Sequence, residues 1–225
     1  MQELLKSLLP SLTEKESAQF AAYYQMLIEW NARMNLTAIT EKEEVAKKHF
    51  LDSLAALPLL PENASVADIG TGAGFPGIPL LIMRPHLKMT LVDSLQKRIG
   101  FLQEVLQALG LSAVCVHARA EDFGRDPACR GSFDYTVSRA VAPLPVLVEL
   151  TVPLLKTGGS SICYKGNAAE ELQSAKSALH LLHASAVIRD VPSDYGARSL
   201  IICTKNAPTP SLYPRKAGVP SKNPL

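Results

Sequence analysis

The chain changes its hydrophobic rhythm near residue 60. Before that point the apolar positions follow a helical period. Phe20, Tyr23, Tyr24, Leu27 and Ile28 recur at i, i+3, i+4, i+7 and i+8, which is one face of a helix. "TEKE" at Thr13–Glu16 is a capping box for its start, and the same four letters at Thr40–Glu43 predict a second helix start. Between them "NARMNLTAI", residues 31–39, carries no helical stripe. Residues 1–60 therefore predict a small helical region packed on a larger unit.

From Ser65 the pattern becomes alternating strands and helices. Strand-like runs are "SVADI" (65–69), "KMTLVD" (88–93), "SAVCVH" (112–117), "FDYTVS" (133–138) and "SSICYK" (160–165). The clearest helix between them places Leu95, Ile99, Leu102, Leu106 and Leu109 on one stripe and closes with Gly110. Such alternation implies a parallel sheet built through right-handed crossovers. After a helix over 168–183 come "SAVIRDV" (185–191) and "SLIICTK" (199–205). The seven residues between these two strands are too few for a crossover helix, so an antiparallel hairpin at the sheet edge is expected. The expected architecture is α/β: residues 1–60 helical, 61–205 a mostly parallel sheet domain with a C-terminal antiparallel hairpin, and 206–225 a basic, proline-rich tail. Five prolines exclude helix or central strand there. The tail reads either as a disordered solubilising segment or as a basic arm that meets phosphates through Arg215, Lys216 and Lys222.

The candidate chemistry sits in "VADIGTGAGFPG", residues 66–77. Four glycines (Gly70, Gly72, Gly74 and Gly77) follow a strand that ends in an acid, Asp68. A strand, a glycine turn and a helix start together present free backbone N–H groups and a positive dipole end, which suits a nucleotide-like ligand. No Lys closes the motif, which argues against a phosphate-binding P-loop. Gly72-x-Gly74-x-x-Gly77 does satisfy the dinucleotide spacing, and Asp93 at the end of the second strand suits ribose hydroxyls. Asp68, however, would repel a pyrophosphate and suits the amino or sulfonium group of S-adenosylmethionine. The D-x-G-x-G-x-G pattern with an acid closing strand two is thus a methyltransferase signal that is silent on substrate.

Composition narrows the rest. Hydrophobic residues make up 47%, which excludes disorder of the whole chain. A formal net charge of +2 confines any attraction for nucleic acid to local patches. The N-terminus lacks a signal-peptide cleavage site, and no run of 18 apolar residues exists, so no membrane contact is expected. Cys115, Cys129, Cys163 and Cys203 are scattered, which argues against a metal site or disulfide framework and for a reducing cytoplasm.

Over essentially its whole length the chain resembles the RsmG (GidB) family of bacterial 16S rRNA guanine-N7 methyltransferases. The residues that carry the resemblance are "WNARMNLTAIT" (30–40), "KHFLDSL" (48–54), "DIGTGAGFPGIPL" (68–80), "LVDSLQKRIGFL" (91–102), "ARAEDF" (118–123), "VSRAVAPL" (137–144), "YKG" (164–166) and the closing "YPRKAGVPSKNPL". The glycine motif alone is generic to class I methyltransferases; "HFLDS", "SRAVAPL" and "YPRKAG" together are much narrower. The resemblance implies a Rossmann-like class I methyltransferase sheet of seven strands, S-adenosylmethionine as cofactor, and transfer to N7 of one guanine, nucleotide 527 in the usual rRNA numbering. It carries cofactor contacts onto Gly70 and Phe75, onto Asp93, Ser94 and Leu95, onto Ala120 and Glu121 near the adenine, and onto Arg139; Gly72 and Gly74 complete the glycine turn. Tyr164 departs from the aliphatic residue more usual before "KG". The implied partner is 16S rRNA or a small-subunit particle, met by a cytoplasmic monomer.

Guanine N7 carries a lone pair and no proton, so its methylation needs alignment rather than a general base. Arg119, Arg139 and Lys165, each at or beyond the carboxyl end of a predicted strand, are the candidate positioning cations. His49 and Asp52 are expected to form a structural pair at the junction of the helical region. Trp30 and Tyr24 are expected to pack in the core rather than to stack a base. Two other functions remain compatible with the motif: an NAD-type oxidoreductase, and a non-catalytic RNA-binding protein on a methyltransferase fold.

Overall fold

A computed structural model describes residues 1–225. The helical region opens with α1 (Gln2–Leu8) and α2 (Glu14–Met34). The first capping box forms as expected: Thr13 Oγ1 accepts from the Glu16 N–H, and Glu16 accepts from the Thr13 N–H at 2.7 Å. Helix α2 runs on through Asn31–Met34, into the segment without a stripe. It is closed by Asn35 in the left-handed region at φ 49°, and Asn31 Oδ1 then accepts from the Thr37 N–H at 2.8 Å. The second "TEKE" does not form a box. Helix α3 (Lys42–Glu44) starts one residue later on Glu41, while the Thr40 carbonyl accepts from the Tyr24 hydroxyl. The same coil continues as a wide π-helical turn over Val45–Leu51 and a 3-10 segment over Leu54–Leu59.

The sheet domain then runs β1 (Ser65–Ile69), α4 (Gly77–Met83), β2 (Lys88–Asp93), α5 (Gln96–Leu109), β3 (Val114–His117), α6 (Ala120–Arg125), β4 (Phe133–Arg139), α7 (Leu144–Thr151), β5 (Leu155–Lys165), α8 (Ala168–Ser174), α9 (Lys176–Leu181), β6 (Ala184–Asp190) and β7 (Ser199–Lys205). Gly110 closes α5 at φ 63°, where a side chain would be strained. The helix expected over 168–183 breaks at buried Ala175, whose N–H is shared between the Glu171 and Leu172 carbonyls. Strand order is β3-β2-β1-β4-β5-β7-β6. Strands β1 to β5 pair in parallel, and β7 is antiparallel to both β5 and β6. The expected hairpin therefore exists, with β6 at the edge and β7 inserted beside β5. A dinucleotide domain would run 3-2-1-4-5-6 without that insertion.

The order reverses between β1 and β4. In open α/β sheets the crevice beyond the carboxyl ends at such a switch point is the ligand site. The helical region has no core of its own: Leu5, Phe20, Tyr23, Leu27 and Phe50 join the same buried cluster as Phe75, Ile78, Leu91 and Leu102.

The tail is not disordered. Arg130 donates to the carbonyls of Thr209 (2.8 Å), Pro210 (3.1 Å) and Tyr213 (2.5 Å), and Arg125 donates to Pro214 (3.2 Å). Arg215 meets Glu149 of α7 through two side-chain bonds of 2.8 and 2.6 Å. Glu149 is 0% exposed, and a buried carboxylate requires a partner of this kind. The last turn, α10 (Val219–Lys222), follows.

Candidate functional site

Two crevices open at the switch point, separated by a ridge of Ala140, Val141 and Ala142 that lines both. The ridge is forced close to the glycine turn. A Cβ on Gly70 would lie 2.7 Å from Val141 Cγ2, so a side chain at position 70 would collide with it. Ala140 takes φ 56°, a left-handed conformation that costs a non-glycine residue about 1 kcal/mol or more and marks a strained point.

The first crevice, about 340 Å³, is bounded by Gly70, Asp93, Ser94, Arg98, Arg119, Ala120, Glu121 and Ser221 among others. Asp93 is almost fully buried at its floor. Its Oδ2 accepts from the Gly72 N–H at 3.0 Å, its Oδ1 from the Leu95 N–H at 2.9 Å, and Arg98 lies 3.2 Å away. Leu95, beside Ser94, is 51% exposed, a large apolar side chain left without cover. Glu121 gives Oε1 to the Gly218 N–H at 2.8 Å.

The second crevice, about 520 Å³, holds Lys48, His49, Asp52, Arg139, Lys165, Glu171 and Arg198. Arg139 is its hub. Nη1 donates to Asp52 Oδ2 at 2.8 Å and to the Lys48 carbonyl at 3.2 Å; Nη2 meets His49 Nδ1 at 3.2 Å; and the guanidinium lies 5.0 Å from the Phe75 ring centre. The wide π turn supplies both the carbonyl and the imidazole. Because arginine only donates, His49 Nδ1 accepts, and its Nε2–H therefore points to Thr37 Oγ1 at 2.8 Å. Burial and the Arg139 charge push the His49 pKa down to about 4, so the ring is neutral near pH 7. Asp52 also receives Arg198 (3.3 Å) and the Tyr195 hydroxyl (3.3 Å). Lys165 is committed to both Glu171 oxygens at 3.0 Å and to the Ala142 carbonyl at 2.7 Å, which braces the ridge.

The sequence-expected residues thus divide. Gly70, Asp93, Ser94, Ala120, Glu121 and Arg119 line the first crevice, while Arg139 and Lys165 line the second. Arg119 does not share a cavity with the other two cations. Phe75 is buried, stacked on His49 at 4.5 Å beneath Arg139. His49 and Asp52 do not pair with each other; both pair with Arg139. Trp30 packs on Phe101 at 5.5 Å.

Three readings change. Asp68 is 0% exposed and lines neither crevice. Its Oδ2 accepts from Thr71 Oγ1 (2.7 Å) and the Gly77 N–H (2.8 Å), so it braces the turn from beneath instead of meeting a ligand cation. Burial pushes its pKa up to about 7. Most of the glycine spacing also serves the protein itself. A Cβ on Gly74 would meet Ile78 Cδ1 at 2.6 Å and Tyr23 Oη at 2.8 Å, and one on Gly77 would meet Leu91 at 2.5 Å. Of the four, Gly72 alone has open space there. Arg215, expected to meet phosphate, is held inside the fold by Glu149, whereas Lys216 and Lys222 are exposed without an acidic partner.

The family described as GidB, rRNA small subunit methyltransferase G, matches residues 16–194. The chain belongs to this family. Among its relatives, the ribosomal RNA small subunit methyltransferase G of Desulforamulus reducens is 49% identical over 221 residues, covering 95% of this chain and 92% of that protein. The protein of the same name from Streptococcus pyogenes serotype M4 is 49% identical over 223 residues, covering 96% and 94%. Among solved structures, a putative O-methyltransferase from Klebsiella pneumoniae aligns over 92% of this chain and 96% of its own at TM-score 0.60 and 14% identity. A methyltransferase from Pyrococcus furiosus aligns over 85% and 100% at TM-score 0.58 and 16% identity. These two show a common methyltransferase fold. The GidB-family assignment makes the protein a methyltransferase, and it disfavours the oxidoreductase and non-catalytic readings of the glycine motif. Arg198 and Tyr195 were not legible as site residues, because neither lies in a quoted motif or at the end of a parallel strand; Thr37 lies within the stretch 30–40 that carries the resemblance. Arg98 lies within the recognised stretch 91–102 and could have been found there.

Proposed function

We propose that the protein methylates N7 of a single guanine in small-subunit rRNA, nucleotide 527 in the usual numbering, with S-adenosylmethionine in the first crevice and the guanine in the second. The donor set fits the cofactor. The Asp93 carboxylate faces the crevice for ribose hydroxyls and the Glu121 carboxylate for an exocyclic amine, and exposed Leu95, outside the crevice wall but next to Ser94, would meet the apolar face of a purine. The cofactor supplies an electrophilic methyl group on a sulfonium.

The observation that carries the choice of acceptor atom is the second crevice's lack of a free base. His49 has a pKa near 4 and its Nδ1 lone pair is taken by Arg139; Asp52 is held by two arginines and a tyrosine. Such a cavity can align a base but cannot take up a proton, which suits an acceptor that has none to lose. Arg139 donates toward the guanine edge, while the Asp52 carboxylate and the Lys48 carbonyl beside it offset the positive charge that moves onto the ring. Exposed Lys216, Lys222 and Arg119 are the residues we assign to the RNA backbone.

Small-subunit rRNA from cells lacking the protein, incubated with purified enzyme and cofactor, tests this reading. Borohydride followed by aniline should cleave the treated strand at one guanine, because N7-methylguanosine carries a fixed charge that labilises the base. Methyl found on an exocyclic amine, a carbon or a ribose oxygen would overturn it.

A further inference from the structure

The C-terminal strap is anchored far more firmly than a passive tail requires, and its end reaches the first crevice. Arg125 and Arg130 hold the backbone of residues 209–214 by four hydrogen bonds. Pro214 packs on Gly124 so closely that a Cβ there would lie 3.0 Å from its ring. Arg215 then fixes the direction of the chain through buried Glu149 and, by a further bond of 2.8 Å, the Asn223 carbonyl at the far side of the last turn. Between those two anchors the strap turns at Gly218, φ 80°, donates its N–H to Glu121 Oε1, and sets Ser221 into the crevice wall beside Asp93, Ser94 and Ala120.

The contact at Glu121 has a chemical consequence. With Oε1 taken by Gly218, no protein group donates to Oε2, and Glu121 lines the crevice. A carboxylate oxygen only accepts, so it selects a donor such as a 6-amino group and rejects a 6-oxo group, which would set two acceptors against each other. The N–H from the strap removes the side chain's freedom to turn away, and so converts a flexible acid into a fixed acceptor.

We propose that residues 217–223 form the nucleoside-side wall of the cofactor crevice, and that the Gly218–Glu121 bond makes the site discriminate a 6-aminopurine from a 6-oxopurine. This rests on the reading of the first crevice as the cofactor site. The tail on this view governs cofactor affinity and base selectivity before it governs RNA affinity.

Calorimetry with S-adenosylhomocysteine and S-inosylhomocysteine tests this on three proteins: the full chain, a chain ending at Lys216, and Ser221→Trp. The shortened chain keeps the Arg215–Glu149 pair and the Arg130 contacts. It should bind S-adenosylhomocysteine at least 10-fold more weakly, and the preference for adenine over hypoxanthine should shrink several-fold. A purely structural role would lower both affinities equally. Ser221 is exposed, so Ser221→Trp should fold normally yet fill the crevice and lose binding at least 10-fold. Wild-type affinity and selectivity in both variants would overturn the proposal while leaving the cofactor reading intact. Failure of the full chain to bind S-adenosylhomocysteine would instead overturn the cofactor reading itself.

Discussion

The two crevices on either side of the Ala140–Ala142 ridge are built differently. The first takes its floor from three short stretches, the turn after β1, the turn after β2 and the start of α6, and closes with Ser221 of the tail, 152 positions from Ile69. Its carboxylates accept from backbone N–H groups; Asp93 is also paired with Arg98, while Glu121 keeps Oε2 without a protein donor. The second is assembled from residues up to 159 positions apart, Ile39 to Arg198, and its cations are already paired. Arg139 reaches 87 residues back to Asp52, and Arg198 meets the same carboxylate. A floor of this kind can be written into local turns. A site that must hold one base in one orientation needs side chains locked by a network, because an unlocked arginine loses alignment.

The sharpest way to break this comparison is to remove the hub. Arg139→Ala should lower the methyl-transfer rate on the order of 100-fold, about 2.7 kcal/mol, while S-adenosylhomocysteine affinity stays within about twofold. Arg139→Lys should not restore the rate, since one ammonium cannot serve Asp52, the Lys48 carbonyl and His49 at once. Single-turnover kinetics beside calorimetry would show it; equal losses in rate and cofactor affinity would merge the two crevices into one functional unit.

The complementary change is Asp93→Ala. It should weaken S-adenosylhomocysteine by roughly 1.5–3 kcal/mol, as expected for a lost charged hydrogen-bond acceptor, and leave RNA affinity unaltered in a filter-binding titration. A folded Asp93→Ala protein with full cofactor affinity would remove the carboxylate from the site.

Next is a pH comparison between the two sides of the turn. His49 has its pKa lowered from 6.5 to about 4, so the folded state binds fewer protons and this group's stabilisation is lost as pH falls from 6.5 to 4. Asp68 has its pKa raised from 3.8 to about 7, so its contribution is lost as pH rises from 3.8 to 7. The two slopes oppose each other across nearly the same window. Urea unfolding of His49→Gln should therefore show stability falling with pH between about 4 and 7, and Asp68→Asn should show it rising, each by on the order of 2 kcal/mol. Parallel profiles for both variants would refute the compensation.

The smallest effect concerns Tyr164, whose buried hydroxyl donates to the Ser53 carbonyl at 2.5 Å under the second crevice. Tyr164→Phe should cost about 1 kcal/mol in thermal or urea unfolding and leave cofactor affinity unchanged.

Local physics is legible in the sequence. Strand β1 with its glycine turn, β2 ending on Asp93, α5 ending on Gly110 and the Thr13 capping box all follow from periodicity and caps, which act over a few residues. The second "TEKE" did not cap: the helix starts one residue later, and the Thr40 carbonyl accepts from Tyr24, sixteen residues away. That the glycines make room mostly for Val141, Ile78, Tyr23 and Leu91 could not be read from their spacing, which looks the same whether a ligand or a side chain approaches. By itself the sequence determined the strand–turn–acid frame of the first crevice and the family. Only the tertiary structure decided which cations remain free. A buried carboxylate such as Glu149 must be paired, but which arginine meets it is set by how elements far apart in the chain are packed, and that choice took Arg215 from the surface and left Lys216 and Lys222 there.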